Sequence, residues 1–164
     1  RRQRAGVLSL HLVPAGGVIT VIVLTGCAGF IGMNCAQKLL ERGEPVVGVD
    51  NLNAYYEVTL KEARLAQLQA NSQANPQASR FRFERLDVAD RAGLAALFDA
   101  VKPDRVLHLA AQAGVRYSID QPDDYGDANL LGFGNILQIC RRHAVQHGRD
   151  ARFLAVVGLA RSVT

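Results

Sequence analysis

Several residue types are scarce in this chain of 164 residues, and each scarcity excludes a class of protein. There is no tryptophan, and there are one methionine and three cysteines. Cys27, Cys35 and Cys140 show neither C-x-x-C spacing nor a nearby histidine pair, so the sequence predicts neither a metal site nor a disulfide framework. This cysteine usage fits a reducing, cytoplasmic compartment best.

Charge of either sign is absent between Ala5 and Gln37, directly after three arginines, which superficially resembles a signal peptide or membrane anchor. Against this, the stretch contains six glycines and Pro14, which would weaken a spanning helix. Its segment Val18–Leu24 is a β-branched run of strand length. We therefore expect a buried strand, no membrane partner, and a protein that fractionates as soluble with its N-terminus uncleaved.

Excess positive charge is confined to the two ends of the chain. The net charge is +4, but Arg1, Arg2 and Arg4 together with the residues after His147 contribute more than that, and residues 5–147 sum to −1. A nucleic-acid site would need basic residues concentrated on one face. We therefore expect no nucleic-acid partner.

The remaining sequence alternates between the periodicity of strands and that of helices. It predicts strands over Val18–Leu24, Pro45–Asp50, Phe81–Leu86 and Arg105–Leu109, and allows a fifth over Arg152–Val157. It predicts helices over Phe30–Arg42, Val58–Ala70, from a capping Asp90 through Val101, and from Asp123 to about His143. This alternation is typical of an α/β fold, a doubly wound parallel sheet covered on both faces.

A glycine-rich turn connects the first predicted strand to the first helix and predicts a dinucleotide site. Gly26 permits a sharp turn, Gly29 lets phosphates approach the backbone, and Gly32 lets the helix pack closely. Backbone N–H groups and the helix dipole at Ala28, Phe30 and Ile31 would attract a pyrophosphate. The alternative is a tight turn that binds nothing.

Asp50 ends the second predicted strand, eighteen residues beyond Gly32, where a carboxylate can accept hydrogen bonds from an adenosine ribose. It would repel a 2′-phosphate, and residues 51–54 offer no cation to bind one. The position therefore favours NAD over NADP as cofactor. An ordinary turn-forming aspartate is the alternative.

Several blocks of this sequence resemble the extended short-chain dehydrogenase/reductase family, and within it the UDP-glucuronate 4-epimerases. The resemblance runs from about Val21 to His147, and its most specific blocks are Asp50–Tyr56 and Ala110–Ser118. It implies a Rossmann domain, NAD as cofactor, a UDP-sugar as substrate of the complete enzyme, and a homodimer as a state found in the family. The blocks are Gly26–Gly32, Asp50–Tyr56, Leu60–Leu65, Asp87, Lys102–Val106, His108–Ser118 and Asn129–Gly132.

The resemblance also implies roles for individual residues. Asp87 and Val88 would border the adenine, Asn51 would belong to the cofactor-binding residues beside Asp50, and Asn129 would lie near the cofactor. The residues expected to line the cofactor beyond the fourth strand are Leu109, Ala110 and Ala111. The residues alone leave open that Asp87 caps a turn and that 109–111 are small core residues.

Arg116 and Ser118 are the candidate substrate-binding residues. Arg116 can bind phosphate or carboxylate, and Gly114 would let the segment Gly114–Ser118 move as a loop. A solvated surface arginine is the alternative. His108 fits a packed core histidine better than an acid or base. The acidic residues Asp120–Asp127 fit a solvated first helical turn beside Pro122 better than a metal or acid/base site.

The catalytic pair of the family, a tyrosine followed four residues later by a lysine, is absent from these 164 residues, so we assign no catalytic residue. The family pattern covers residues 18–147, whereas residues 1–17 and 148–164 have no counterpart in it. We expect a fragment that binds NAD and is inactive alone. A non-catalytic NAD-binding module or relic, and a fragment of a sugar-nucleotide 4,6-dehydratase, are the alternatives.

Overall fold

A computed structural model describes residues 20–74, 80–147 and 152–155. Five parallel strands form one sheet in the spatial order β3-β2-β1-β4-β5. The strands are β1 (Ile22–Thr25), β2 (Val46–Asp50), β3 (Phe81–Arg85), β4 (Arg105–His108) and β5 (Arg152–Ala155). The predicted doubly wound α/β sheet is therefore confirmed.

Helices connect these strands and cover the sheet. They are α1 (Phe30–Glu41), α2 (Val58–Ala74), α3 (Arg91–Val101), α4 (Val115–Asp120), α5 (Pro122–Gly126) and α6 (Gly132–His147), with a π-helical turn over Asp127–Leu131 between the last two. Asp90 caps α3 as predicted, because its side chain accepts hydrogen bonds from the N–H groups of Ala92 and Gly93. None of the helices in the described ranges is long and apolar enough to cross a membrane.

The sheet order reverses at β1, which lies between β2 and β4. Ile22 is in register with Val46 on one side and with Arg105 on the other, so the three strands end at the same level. In parallel sheets of this kind a crevice opens beyond the carboxyl ends of the strands at the point of reversal. The segments after β1, β2, β3 and β4 therefore meet in one place.

Successive side chains of β1 point to opposite faces, and each face has its own apolar core. Val23 packs in a cluster with Phe98 of α3 and Ile136 of α6, all three at most 1% exposed. Leu24 packs in a second cluster with α1 and α2, through Ala36, Leu40, Leu65 and Leu68. Helices on both faces leave the carboxyl ends of the strands as the accessible edge.

The structure corrects the predicted helix from Asp123 to His143. The helix begins at Pro122, whose missing N–H suits a first helical position, and it widens into a π-helical turn before continuing to His147. The π-helical turn lies where this helix contacts the loop after β4, through Asn129, and the loop after β3, through Asn135. Contacts between distant segments leave no signal in local periodicity. Part of the predicted first strand (residues 18 and 19) and the predicted end of the fifth (Val156 and Val157) lie outside the described residues, as does the segment 1–17.

Candidate functional site

Gly26 makes the turn after β1 in the left-handed region, with φ of +73°. A Cβ there would lie 2.7 Å from the nitrogen of Ala110 and 2.8 Å from the carbonyl of Leu109, so the turn presses directly against the segment after β4. Only glycine fits both the conformation and the space. The predicted sharp turn at Gly26 is therefore present.

Glycine is suited to positions 29 and 32 for two different structural reasons. A Cβ on Gly32 would collide with the carbonyl oxygen of Gly26, so Gly32 lets α1 pack against the turn itself rather than against the strand. Gly29 is the N-cap of α1 in an extended conformation, and a Cβ there would meet only the oxygen of Gly26, at 3.1 Å. Within the described residues, no side chain caps this helix and no acidic residue occupies its first turn. The twelve-residue helix thus presents an open N-terminus, which suits an anion.

Asp50 holds the ends of two loops together. Its Oδ2 accepts a hydrogen bond from the Ala28 N–H at 3.2 Å, and its Oδ1 accepts one from the Leu52 N–H at 2.9 Å. Leu52 takes a positive φ of 55°, so the turn-forming role left open above is real. Each carboxylate oxygen can accept a second hydrogen bond, so Asp50 keeps acceptor capacity toward the cleft that it lines.

A buried lysine from α2 faces Asp50, although the two residues are distant in the sequence. The Lys61 ammonium lies 3.9 Å from Asp50 Oδ1 and donates to the backbone oxygen of Asn53 at 3.0 Å and to its side-chain oxygen at 2.8 Å. Arg64 donates to the Ala28 oxygen at 3.2 Å. Residues 51–54 contain no cation, as the sequence shows, but helix α2 packs back over the turn and brings Lys61 and Arg64 to it.

Asp87 joins the loops after β2 and β3. Its Oδ2 accepts from the Asn51 amide at 2.8 Å and its Oδ1 from the Ala89 N–H at 2.8 Å. The Asp87 carboxylate therefore caps a turn, which was the alternative left open by the sequence. It also lines the cleft beside Val88. Both residues lie where a ligand entering beyond the strand ends would meet them.

Thr25 and His108 tie the ends of β1 and β4 together inside the protein. The Thr25 hydroxyl accepts from the N–H groups of Leu109 and Ala110, both at 3.2 Å, and lies 2.7 Å from His108 Nδ1. A hydroxyl that accepts two N–H bonds is left to donate its own proton, which assigns Nδ1 as the acceptor of a neutral imidazole. Burial lowers the pKa of His108 to about 4, so it is a core histidine, as the sequence indicated.

Asn129 acts on the backbone of the loop after β4. Its side-chain oxygen accepts from the Gln112 N–H at 2.9 Å and its amide donates to the Gln112 oxygen at 3.0 Å. Asn129 itself does not line the cleft, whereas its neighbour Ala128 does. Asn129 thus lies next to a residue that lines the cleft, and its bonds position Gln112.

One cleft gathers most of the predicted cofactor residues at the carboxyl ends of β1 to β4. Those that line it are Gly26, Gly29, Asp50, Asn51, Asp87, Val88, Leu109, Ala110 and Ala111. Ala28, Phe30, Ile31 and Gly32 lie beside it in the turn and on α1, and Phe30 and Ile31 are exposed. Lining residues to which sequence reasoning gave no role at the site are Val49, Asn53, Tyr55, Tyr56, Lys61, Leu86, Gln112 and Ala128. Asn53, Tyr55 and Tyr56 belong to the Asp50–Tyr56 block, and Lys61 and Gln112 lie in the blocks Leu60–Leu65 and His108–Ser118, but neither the residues nor the resemblance assigned them a role at the site.

The segment predicted as a mobile substrate loop is a short helix, α4. Gly114 begins it with φ of +102°, and a Cβ on Gly114 would collide with the Tyr55 hydroxyl. Gly114 therefore packs closely against Tyr55 at the start of a helix, which corrects the prediction of a loop. Arg116 is exposed, and neither it nor Ser118 lines a described cavity.

Tyr117, between these two residues, lines a second cavity that adjoins the first. This cavity has a volume of about 520 Å³, within the range of small-molecule sites. It shares Asn51, Tyr55 and Asp87 with the cleft. The Tyr117 hydroxyl donates to Asp124 at 2.9 Å, and this bond raises the pKa of Tyr117, so that tyrosine is a poor base near neutral pH.

Among the described residues, no group of three or more histidine, cysteine or acidic side chains is arranged to hold a metal ion. The three cysteines are free. Cys27 lies buried inside the glycine turn, where desolvation raises the pKa of its thiol far above its ordinary value. The thiol is therefore neutral and packs as a small apolar group.

Comparison with known proteins matches residues 23–157 to the family described as GDP-mannose 4,6 dehydratase. UDP-glucuronate 4-epimerase 4 of Arabidopsis thaliana is 44% identical over 75% of this chain and 26% of its own length. The chain thus spans about a quarter of that relative.

Two solved structures share the fold. The UDP-glucose 4-epimerase of Thermus thermophilus, in complex with NAD, superposes with a TM-score of 0.59 and 32% identity, over 77% of this chain and 35% of that one. DesIV of Streptomyces venezuelae, a dTDP-glucose 4,6-dehydratase with NAD and TYD bound, superposes with a TM-score of 0.61 and 28% identity, over 79% of this chain and 37% of that one.

Proposed function

Because the chain belongs to the GDP-mannose 4,6 dehydratase family, we propose that it is the NAD-binding part of a nucleotide-sugar epimerase. The observation that carries the proposal is the single cleft at the sheet's point of reversal, which brings the glycine turn, Asp50 and Asp87 together. The relatives are several times longer than the segment that this chain matches, so the activity proposed is that of a complete enzyme.

The residues present suit NAD by their chemistry. The uncapped N-terminus of α1 beyond Gly29 would hold the pyrophosphate, and the spare acceptor capacity of Asp50 would hold the adenosine ribose. Asp87 and Val88 would border the adenine, while Leu109, Ala110 and Ala111 would line the path beyond β4. The NAD bound in the Thermus epimerase supports the same cofactor here.

The proposed reaction inverts C4 of UDP-glucuronate by transient oxidation to the 4-keto sugar followed by return of the hydride to its opposite face, which yields UDP-galacturonate. When bound, NAD supplies the hydride acceptor and returns the hydride. The chain's own residues orient the cofactor: Thr25 and His108 fix the end of β4, and Asn129 fixes Gln112. Arg116 and Ser118 remain proposed substrate contacts, Arg116 through its guanidinium and the sugar nucleotide's acidic groups.

The chain does not contain the tyrosine and lysine pair that the resemblance implies for proton abstraction. Each of its four tyrosines lacks a lysine four residues on, and Tyr117 donates to a carboxylate instead of facing a cation. We therefore propose that these 164 residues bind NAD without turning over the sugar. A cytoplasmic location, argued from the cysteine usage, is part of the same proposal.

A dehydratase fragment is the second candidate, and the superposition with DesIV supports it. Both candidates place NAD in the same cleft and differ in the substrate. The identity to the plant UDP-glucuronate 4-epimerase favours the epimerase. A non-catalytic NAD-binding module would use the cleft without any sugar.

Titration of the purified chain with NAD⁺ by calorimetry tests the proposal. We expect saturable binding, and Gly29→Val should remove it because a β-branched side chain would occupy the phosphate approach. Gly134→Val is a matched control, since a Cβ on Gly134 meets nothing within 4 Å, and it should bind NAD⁺ as the unmodified chain does. Absence of binding by the unmodified chain, or equal affinity in Gly29→Val, would contradict the proposal.

A further inference from the structure

Asn135 of α6 is a buried amide that bonds the loop between β3 and α3 and the first residue of α3. It is 2% exposed and lines neither the cleft nor the second cavity. Its amide donates to the Val88 oxygen at 3.1 Å and to the Ala89 oxygen at 3.0 Å, and its own oxygen accepts from Arg91 Nε at 3.1 Å. Two carbonyls and one cation therefore determine the orientation of the amide.

The loop that Asn135 binds is the wall of the cleft between β3 and α3. Val88 lines the cleft, Ala89 lines the second cavity, and the Ala89 N–H donates to Asp87. Asn135 thus binds the carbonyl oxygen of the Val88–Ala89 peptide group from outside the cleft. The N–H of the same peptide group binds the Asp87 carboxylate, which lines the cleft. Gly132, one helical turn earlier, completes the contact, because a Cβ there would lie 2.6 Å from Val88 Cγ2.

We propose that Asn135 is a positioning residue for the adenine end of the cofactor. The proposal rests on the proposed NAD site. Asn135 would not touch the ligand; it would fix the distance of Val88 and the direction of the Asp87 carboxylate. A carboxylate in that position accepts a hydrogen bond from an adenine amino group and repels a base that carries a carbonyl oxygen instead. The preference of the site for adenine would then depend on Asn135, which does not line the site.

The first test needs no ligand. Hydrogen exchange of the unliganded chain is measured by mass spectrometry on the segment 86–93 and on the rest of the chain. Asn135→Ala should accelerate exchange in that segment selectively, whereas Gln138→Ala, which removes an exposed amide from the next turn of α6, should not. Equal exchange in the unmodified chain and Asn135→Ala would overturn the proposal.

The second test compares NAD⁺ with nicotinamide hypoxanthine dinucleotide, in which an oxygen replaces the adenine amino group. We expect Asn135→Ala to weaken NAD⁺ binding about tenfold and the analogue much less, so that the preference for adenine falls. A merely structural role would weaken both ligands equally, and that result would overturn the proposal. If the unmodified chain binds neither ligand, the NAD site is wrong, while the exchange test still decides whether Asn135 holds the loop.

A second variant covers the case in which Asn135→Ala does not fold. Gly132→Ala keeps the helix, because its backbone is helical with φ of −58°, but pushes its Cβ against Val88. It should lower the preference for adenine in the same direction by displacing the same wall. An unchanged ratio of the two affinities in Gly132→Ala would count against the proposal.

Discussion

Asp50 and Asp87 show how one carboxylate can shape a loop and still serve a site. Each accepts a backbone N–H two residues further along the chain, which is the local bond that turn-forming aspartates make. Each also receives a donor from a distant part of the sequence, the Ala28 N–H for Asp50 and the Asn51 amide for Asp87. The turn role and the cleft role, weighed as alternatives on the sequence, are compatible.

A substitution of the single residue Asp50 tests the preference of the site for NAD over NADP. Asp50→Ser removes the charge that repels a 2′-phosphate and leaves Lys61 and Arg64 on the same side of the turn. We expect the ratio of NADP⁺ to NAD⁺ affinity to rise about tenfold, since charge-assisted bonds to phosphate become available. Parallel titrations measure it, with Asp99→Asn on the exposed surface of α3 as control. Tighter NADP⁺ binding by the unmodified chain would contradict the expected preference for NAD.

His108 gives a second residue-level prediction, on stability. Its pKa is about 4 in the folded protein and about 6.5 in an unfolded chain, so the unfolded state takes up the proton first as the pH falls. His108 therefore costs no stability above about pH 6.5. As the pH falls from 6.5 to 4, its protonation in the unfolded state lowers the free energy of unfolding by an amount on the order of 3 kcal/mol.

Denaturant unfolding at pH 7.5 and pH 4.5 checks this expectation. His108→Gln should be less stable than the unmodified chain at pH 7.5, because it loses the packed ring beside Phe133 and the bond to Thr25. It should also lose less stability on acidification. An unchanged difference between the two pH values would show that His108 does not titrate in this window.

At the scale of elements, the π-helical turn between α5 and α6 relates two sets of contacts. Asn129 in the turn bonds Gln112 after β4, while Gly132 and Asn135 on α6 contact the loop after β3. One continuous helix therefore reaches both walls of the cleft. A π-helical turn has one more residue than an α-helical one, and such turns are frequent at functional sites.

Deleting Leu130 tests the role of this turn. Leu130 is 77% exposed, so the deletion removes little packing but rotates α6 by about 100° relative to Asn129. We expect helix content by circular dichroism to persist and NAD⁺ affinity to fall at least about tenfold. Leu130→Ala, which keeps the residue count, should leave the affinity unchanged. Equal affinity in the deletion variant would mean that the turn has no part in the site.

At the scale of the molecule, the described sheet ends in β5 at one side and β3 at the other. β5 pairs with β4 over four residues, so the predicted fifth strand is present over Arg152–Ala155. We expect apolar side chains near Phe153–Val157 to be exposed at this edge of the sheet, and these side chains lie outside the described ones. Among the described residues, those that line the cleft lie between Gly26 and Ala128.

The corresponding prediction is that the 164-residue chain will not convert UDP-glucuronate. Loss of a positioned general base costs about 10²–10⁴ in rate, and missing sugar contacts would add the loss of orientation. Micromolar protein is incubated with NAD⁺ and UDP-glucuronate, and UDP-galacturonate is sought by chromatography. A chain extended with a relative's segment containing the tyrosine and lysine serves as the comparison. Comparable rates from both chains would show that the acid/base group lies within these residues.

The alternation of strands and helices, the glycine turn and Asp50 followed from the sequence because each depends on neighbours within a few positions. Gly26 makes a left-handed turn, Asp90 caps the helix that follows it, and the buried strands β1 and β2 are apolar except at their ends, Thr25 and Asp50. Contacts between distant segments could be decided only by the fold. Lys61 meets Asp50 because α2 packs back against the turn, and Asn135 meets Val88 because α6 lies beside α3. Local periodicity carries no information on such pairs, since their energies arise only when the sheet has brought the segments together.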